Sequence, residues 1–186
     1  KLYRKSTLDK ANITPSGICM GEDLVFNLQL FPHLKSIYIL DTIGYNYRFG
    51  GMTTKYNKHL YPDLKYLYTV KEKLIEQYQY YKAWDYIRIE MKNVFSSDIC
   101  QRIVYKTGTE EEIIAYITQE LKDPIWERVL QVKEHPDFFN DSFVQAIAQK
   151  DASTIYHICL TTVKKQAFKR YLKKIIVSCI LILTAD

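Results

Sequence analysis

After Tyr56 the chain uses glycine only once, at Gly108, and apolar residues recur at helical spacing almost to its end. Glycine is the residue that most readily interrupts a helix, so a stretch this poor in it is constrained toward helices with short connections. Leu64, Leu67, Tyr68, Leu74, Ile75 and Tyr78 follow the 3.6-residue period behind Pro62, a residue suited to a helix's first turn. A second helix is predicted through Trp84, Ile87, Met91, Val94 and Phe95, continuing past Ser96-Ser97 to Ile103. Thr109-Glu110-Glu111-Glu112 is a capping box that opens a third. Asp123-Pro124 starts a fourth, Asp141 caps a fifth and Asp151 a long sixth. With no sustained heptad and no fixed repeat, residues 57–186 predict a packed bundle or a stack of helical hairpins.

Residues 1–56 are punctuated differently, with short apolar runs set between Gly, Pro and turn residues. The pattern predicts a strand over residues 1–4, a loop through Pro15-Ser16-Gly17, and a helix from Glu22 that buries Leu24, Phe26, Leu28, Leu30 and Phe31. The β-branched and aromatic run Ile37-Tyr38-Ile39 predicts a strand over residues 36–40, and residues 43–49 a second extended segment before the Gly50-Gly51-Met52-Thr53-Thr54 loop. The expected fold class is therefore α+β by content, with a few short strands in a first domain (1–56) and a mostly α-helical extension (57–186).

Composition narrows the chemistry. The chain is 47% hydrophobic and 25% charged, the balance of a globular chain with a core. Its four cysteines form no C-x-x-C pair and His33, His59, His135 and His157 are scattered, which argues against a zinc site and a dense disulfide framework. The thiols are expected to fill the core in a reducing compartment. Lys1 opens the sequence with no signal peptide before it, so the chain reads as a fragment of something longer. The sixteen tyrosines, Tyr78, Tyr80 and Tyr81 among them, read as amphipathic packing with the hydroxyl at the surface.

The net charge of +5 is unevenly spread. Residues 152–185 hold no Asp or Glu, while Lys164, Lys165, Lys169, Arg170, Lys173 and Lys174 crowd into a short block. Such a block suits an anionic membrane surface, or it is the solvated face of a terminal helix whose tail packs on the bundle. No nucleic-acid partner is expected, because no binding module and no second basic patch accompany it. The apolar run 175–183 falls well short of the roughly 20 residues a spanning helix needs.

Gly21-Glu22-Asp23 places two adjacent carboxylates where a loop becomes a helix. Acidic residues in a first turn complement the helix dipole and its free N–H groups, which accounts for them structurally. The chemical alternative is a general base, since the same dipole and N–H groups favour the charged form of a carboxylate. The ordered series Lys1-Leu2-Tyr3-Arg4-Lys5-Ser6, Gly21-Glu22-Asp23 followed by Leu24 and Phe26, Tyr45-Asn46-Tyr47-Arg48 and Gly51-Met52-Thr53 resembles the C-terminal half of a family 2 glycosyltransferase domain of GT-A fold.

The resemblance spans residues 1–56 and implies an inverting enzyme of a GT-A-type α/β domain. Asp23 then matches the catalytic base that deprotonates an acceptor hydroxyl for in-line attack on the anomeric carbon. Glu22 matches the neighbour that holds sugar or acceptor, and Arg48 and Thr53 fall near the nucleotide-sugar diphosphate. The implied partners are a nucleotide-sugar donor and a glycan or lipid-linked acceptor in surface polysaccharide biosynthesis. The implied location is cytoplasmic, peripheral on the inner face of a bacterial membrane. The sequence departs from the family in lacking any Asp-x-Asp motif or G-x-G-x-x-G loop. A divalent metal (Mg or Mn) is expected for the complete enzyme, with no metal ligand in these residues, and the chain alone is expected to be inactive. The rival from another class is a non-catalytic helical adaptor or membrane-surface interaction module.

Overall fold

The computed structural model describes residues 2–39, 41 and 55–183, with side chains through Lys169. Every regular element among them is helical, which corrects the α+β expectation and with it the GT-A-type α/β domain. The reason lies in partners rather than propensity. Residues 36–39 are non-helical and enter no strand pairing among the described residues, and Ile37, Tyr38 and Ile39 are 68%, 86% and 94% exposed. A strand stands only when its backbone groups are paired with a neighbour. Residues 2–4 likewise form no strand: Leu2 is exposed, and Tyr3 instead lays its ring edge-on against Phe26 at 5.4 Å. The extended segment expected over 43–49 lies outside the described residues.

The chain divides into two compact units, Lys1–Val94 and Phe95–Asp186. The first contains α1 (Lys5–Ala11), α2 (Glu22–Leu30) with a 3-10 turn Phe31–His33, α3 (Leu60–Tyr78), a 3-10 turn Tyr81–Ala83, and the opening turns of α4 (Trp84–Val104). Helix α2 packs on α1 and α3. It buries Val25, Asn27 and Leu30, leaving Leu24 and Phe31 exposed at 38% and 45%. Because α2 is apolar at most positions, spacing alone could not select its inner face; the packed neighbours do. Helix α3 buries Tyr61, Leu67, Tyr68 and Ile75 and ends at Gln79, left-handed at φ 56°, where the Tyr80 N–H closes on the Ile75 carbonyl at 3.0 Å. On α4, Arg88 pairs with Asp85 at 3.4 Å and lies over the Trp84 ring.

The second unit holds the remainder of α4, then α5 (Glu110–Glu120), α6 (Ile125–Val129), α7 (Pro136–Asn140), α8 (Ser142–Ala148) and α9 (Ala152–Leu183). Its core gathers around Phe95, fully buried, with Trp126 at 4.7 Å and Phe143 at 6.1 Å between ring centroids. The expected caps start the helices. Thr109 accepts the Glu112 N–H while Glu112 accepts the Thr109 N–H, closing the capping box. Asp123 accepts from the Ile125 N–H, Asp141 from the Phe143 N–H and Asp151 from the Thr154 N–H. Helices α5 and α8 pack on α9, whose inward positions Ala152, Ile155, Tyr156 and Cys159 keep helical spacing.

Candidate functional site

In the first unit the residues with the chemical potential stand at the N-terminus of α2, and the sequence upstream explains why they stay there. Helix α1 ends at Asn12, left-handed at φ 46°, which turns the chain back toward α2. Gln29 on α2 then clasps Thr14 on both sides: its carbonyl accepts the Thr14 N–H at 3.1 Å and its amide donates to the Thr14 carbonyl at 3.4 Å. Farther along the loop, the Cys19 and Met20 N–H groups both donate to one oxygen of Asp63, at 3.0 and 2.9 Å. Asp63 sits in the first turn of α3, so the loop before the helix is tied to a neighbouring element.

Gly21 completes the turn at φ 85°, ψ 14°. An ideal Cβ there would meet only Leu67 Cδ2 at 3.8 Å, an ordinary contact, so glycine is required by conformation and not by space. Among the described residues no side chain caps α2. Behind the turn, Tyr3 donates its hydroxyl to Asn27 Oδ1, and the Asn27 amide donates to the Asp23 carbonyl. Asn27 is 3% exposed, and these two bonds satisfy both ends of its amide. The backbone of Asp23 is thus fixed from below while its side chain faces out.

Glu22 and Asp23 are both exposed, and neither carboxylate has a polar partner among the described residues. Chemically, this is an acceptor pair on a rigid element with the first-turn N–H groups beside it, able to take a hydrogen bond or a proton from an incoming hydroxyl. Arg48 and Thr53 lie outside the described residues, so the structure does not bring them to Asp23. Sequence reasoning missed Asp63, Asn27 and Tyr3. Asp63 had a signal, an acid in a first turn behind Pro62, but that signal points to its own helix and not to a loop distant in sequence.

Among the described residues no three His, Cys, Asp or Glu side chains converge into a group that could hold a metal ion, and Glu22 and Asp23 gain no third ligand. The described residues also include no helix long and apolar enough to cross a membrane.

The second unit holds two polar groupings. Asp98, 7% exposed, accepts on one oxygen from Arg102 Nε at 2.8 Å and from the Tyr116 hydroxyl at 2.9 Å, with the guanidinium 3.6 Å from the Tyr116 ring centroid. Burial pushes the Asp98 carboxyl above its ordinary range against the pull of Arg102. Burial and the Asp98 charge push the Tyr116 hydroxyl up as well. These groups bind each other, which makes the cluster a brace between α4 and α5 rather than a reactive site. Cys100 and buried Cys159 adjoin between α4 and α9: the Cys100 thiol reaches the Cys159 carbonyl at 3.9 Å, and the Cys159 thiol reaches that of Ser96 at 3.8 Å. Hydrogen bonding to Cys159 lowers the Cys100 thiol, and the same contact raises Cys159.

No protein-family model, curated protein or solved structure matches this chain.

Proposed function

We propose that the chain serves an inverting, nucleotide-sugar-dependent glycosyltransferase, with Asp23 as general base and Glu22 holding the acceptor or sugar beside it. The observation that carries this reading is the exposed Asp23 carboxylate, without a polar partner among the described residues, on a turn fixed by Asp63, Asn27 and Gln29. Binding and catalytic groups need that combination of a free head and a locked base. In the reaction, an acceptor hydroxyl gives its proton to Asp23 as its oxygen bonds to the anomeric carbon. The bond from that carbon to the donor phosphate breaks, and the nucleoside diphosphate leaves with the electron pair. Arg48 and Thr53 are assigned to that diphosphate through the sequence resemblance, since a guanidinium and a hydroxyl both stabilise charge developing on phosphate. The divalent cation that the resemblance implies has no assigned ligand here. The same resemblance supports an acceptor in surface polysaccharide synthesis and a place at the cytoplasmic face of a bacterial membrane.

The test uses protein isolated from its source, a panel of nucleotide sugars and a glycan or lipid-linked acceptor extract. Transfer is expected, and Asp23→Asn should slow it by roughly 10²-fold or more, the usual order for losing a general base, with the helical circular-dichroism signal unchanged. No transfer from any donor, or near-equal transfer by Asp23→Asn, refutes the assignment. A second reading, the non-catalytic helical adaptor, is favoured by the absence of strands among the described residues. It makes Glu22 and Asp23 a dipole-complementing first turn and predicts that Asp23→Asn alters stability slightly and no turnover.

A further inference from the structure

We infer that the C-terminal part of α9 is a docking element for an anionic lipid surface, independently of whether the chain serves a transferase. Helix α9 runs without a break from Ala152 to Leu183, 32 residues or about 48 Å at 1.5 Å per residue. Its packed part is short. Among the described side chains of α9, which run to Lys169, the last buried one is Cys159, and every residue from Lys164 to Lys169 is exposed, Phe168 at 61%. Tertiary packing supplies most helical stability in proteins, and the exposed stretch from Lys164 to Lys169 has none from the bundle, so it is open to a surface.

The sequence of that half states which surface. At helical spacing, Phe168, Tyr171, Leu172, Ile175 and Cys179 occupy one set of register positions. Lys165, Lys169, Arg170, Lys173 and Lys174 occupy the positions between them. No acid occurs from 152 to 185, so the cations are not neutralised along the helix itself. An anionic bilayer meets both requirements together, with headgroups for the cations and an acyl boundary for the apolar positions. Nucleic acid would meet the first and leave the 175–183 run in water. That run covers about 14 Å against a hydrocarbon core of about 30 Å, so the helix docks at the interface and does not span.

The experiment is sedimentation of the full chain with vesicles of phosphatidylglycerol and phosphatidylcholine, or of phosphatidylcholine alone. Binding is expected to the anionic vesicles only and to fall as salt shortens the Debye length from about 10 Å at 0.1 M to about 3 Å at 1 M. Each basic residue near an anionic surface strengthens binding roughly fivefold. Replacing Lys164, Lys165, Lys169 and Arg170 by Gln should therefore weaken it several-hundredfold. A variant with Arg at the three Lys positions should keep it, which separates charge from misfolding. Absence of binding to anionic vesicles, equal binding to neutral ones, or loss of binding in the Arg variant overturns the proposal. Tight binding to duplex DNA without vesicle binding overturns it in favour of a nucleic-acid partner.

Discussion

Asp63 is the residue whose removal most directly tests whether the turn before α2 is held or merely lies where it is. Its carboxylate oxygen accepts from the Cys19 and Met20 N–H groups at 3.0 and 2.9 Å, the first exposed and the second part-buried. A hydrogen bond to a charged group contributes about 1.5–3 kcal/mol when water is excluded, and water is only partly excluded here. The pair is therefore worth about 1–2 kcal/mol, a factor of roughly 5–30 in an opening equilibrium. In Asp63→Ala, amide hydrogen exchange at Cys19 and Met20, followed residue by residue by NMR, should quicken by that factor. Exchange at Leu67 and Ile75, buried on the same helix as Asp63, should stay near the parent value. Asp63→Asn keeps an acceptor without its charge and should give about half the effect on the logarithmic scale. Unchanged exchange at Cys19 and Met20 in the Ala variant refutes the tether. Equal acceleration at Ile75 shows that Asp63 supports the whole of α3 and not the turn.

Asp98 carries the pH prediction. A carboxyl raised in the folded state binds more protons folded than unfolded, so its contribution is full below its ordinary value of 3.8 and is lost as pH rises through the raised value. Asp98→Asn removes that slope, and its urea midpoint should gain on the parent's between about pH 3 and pH 7; a constant difference over that range counts against a raised carboxyl. Gly21→Ala, placed at φ 85°, should cost about 1–2 kcal/mol in equilibrium unfolding, with Asn at the same position recovering part of it. An unaltered Ala variant would show that the turn can relax to another conformation.

Most helices after residue 57 were legible because their signals are local. Thr109, Asp141 and Asp151 each lie next to the N–H groups they accept from, so a few residues of sequence contain the whole interaction. The strands were misread because β-propensity describes fitness for a half-buried, paired surface and not the presence of a pair. Ile37, Tyr38 and Ile39 have the right side chains and remain exposed. The seven-residue α1 and five-residue α7 escaped notice because neither is long enough to display a period. The inner face of α2 was hidden by its uniformity: with apolar residues at most positions, burial of Val25 and exposure of Leu24 are decided by what packs against the helix.

The candidate site was half legible, and the division follows sequence distance. Gly21, Glu22 and Asp23 are neighbours, and a turn glycine ahead of two acids announces an exposed helix start on its own. What holds that start in place comes from far along the chain: Tyr3 reaches Asn27 across 24 positions, and Asp63 reaches Met20 across 43. Neither spacing carries a period, and each residue involved has an ordinary local explanation, an aromatic near the N-terminus or an acid in a first turn. Position in three dimensions gives them a joint role. Asn27 fixes the Asp23 carbonyl, Asp63 fixes the two amides before Gly21, and the residue between is one whose conformation excludes most side chains. A carboxylate presented this way spends little conformational entropy on meeting a ligand, because its backbone was ordered when the unit folded. The Asp63 variant therefore bears on the proposed role of Asp23 as well as on structure: with Asp23 as the base, loosening the turn should lower transfer while leaving the core of the unit intact, and unchanged transfer counts against that role.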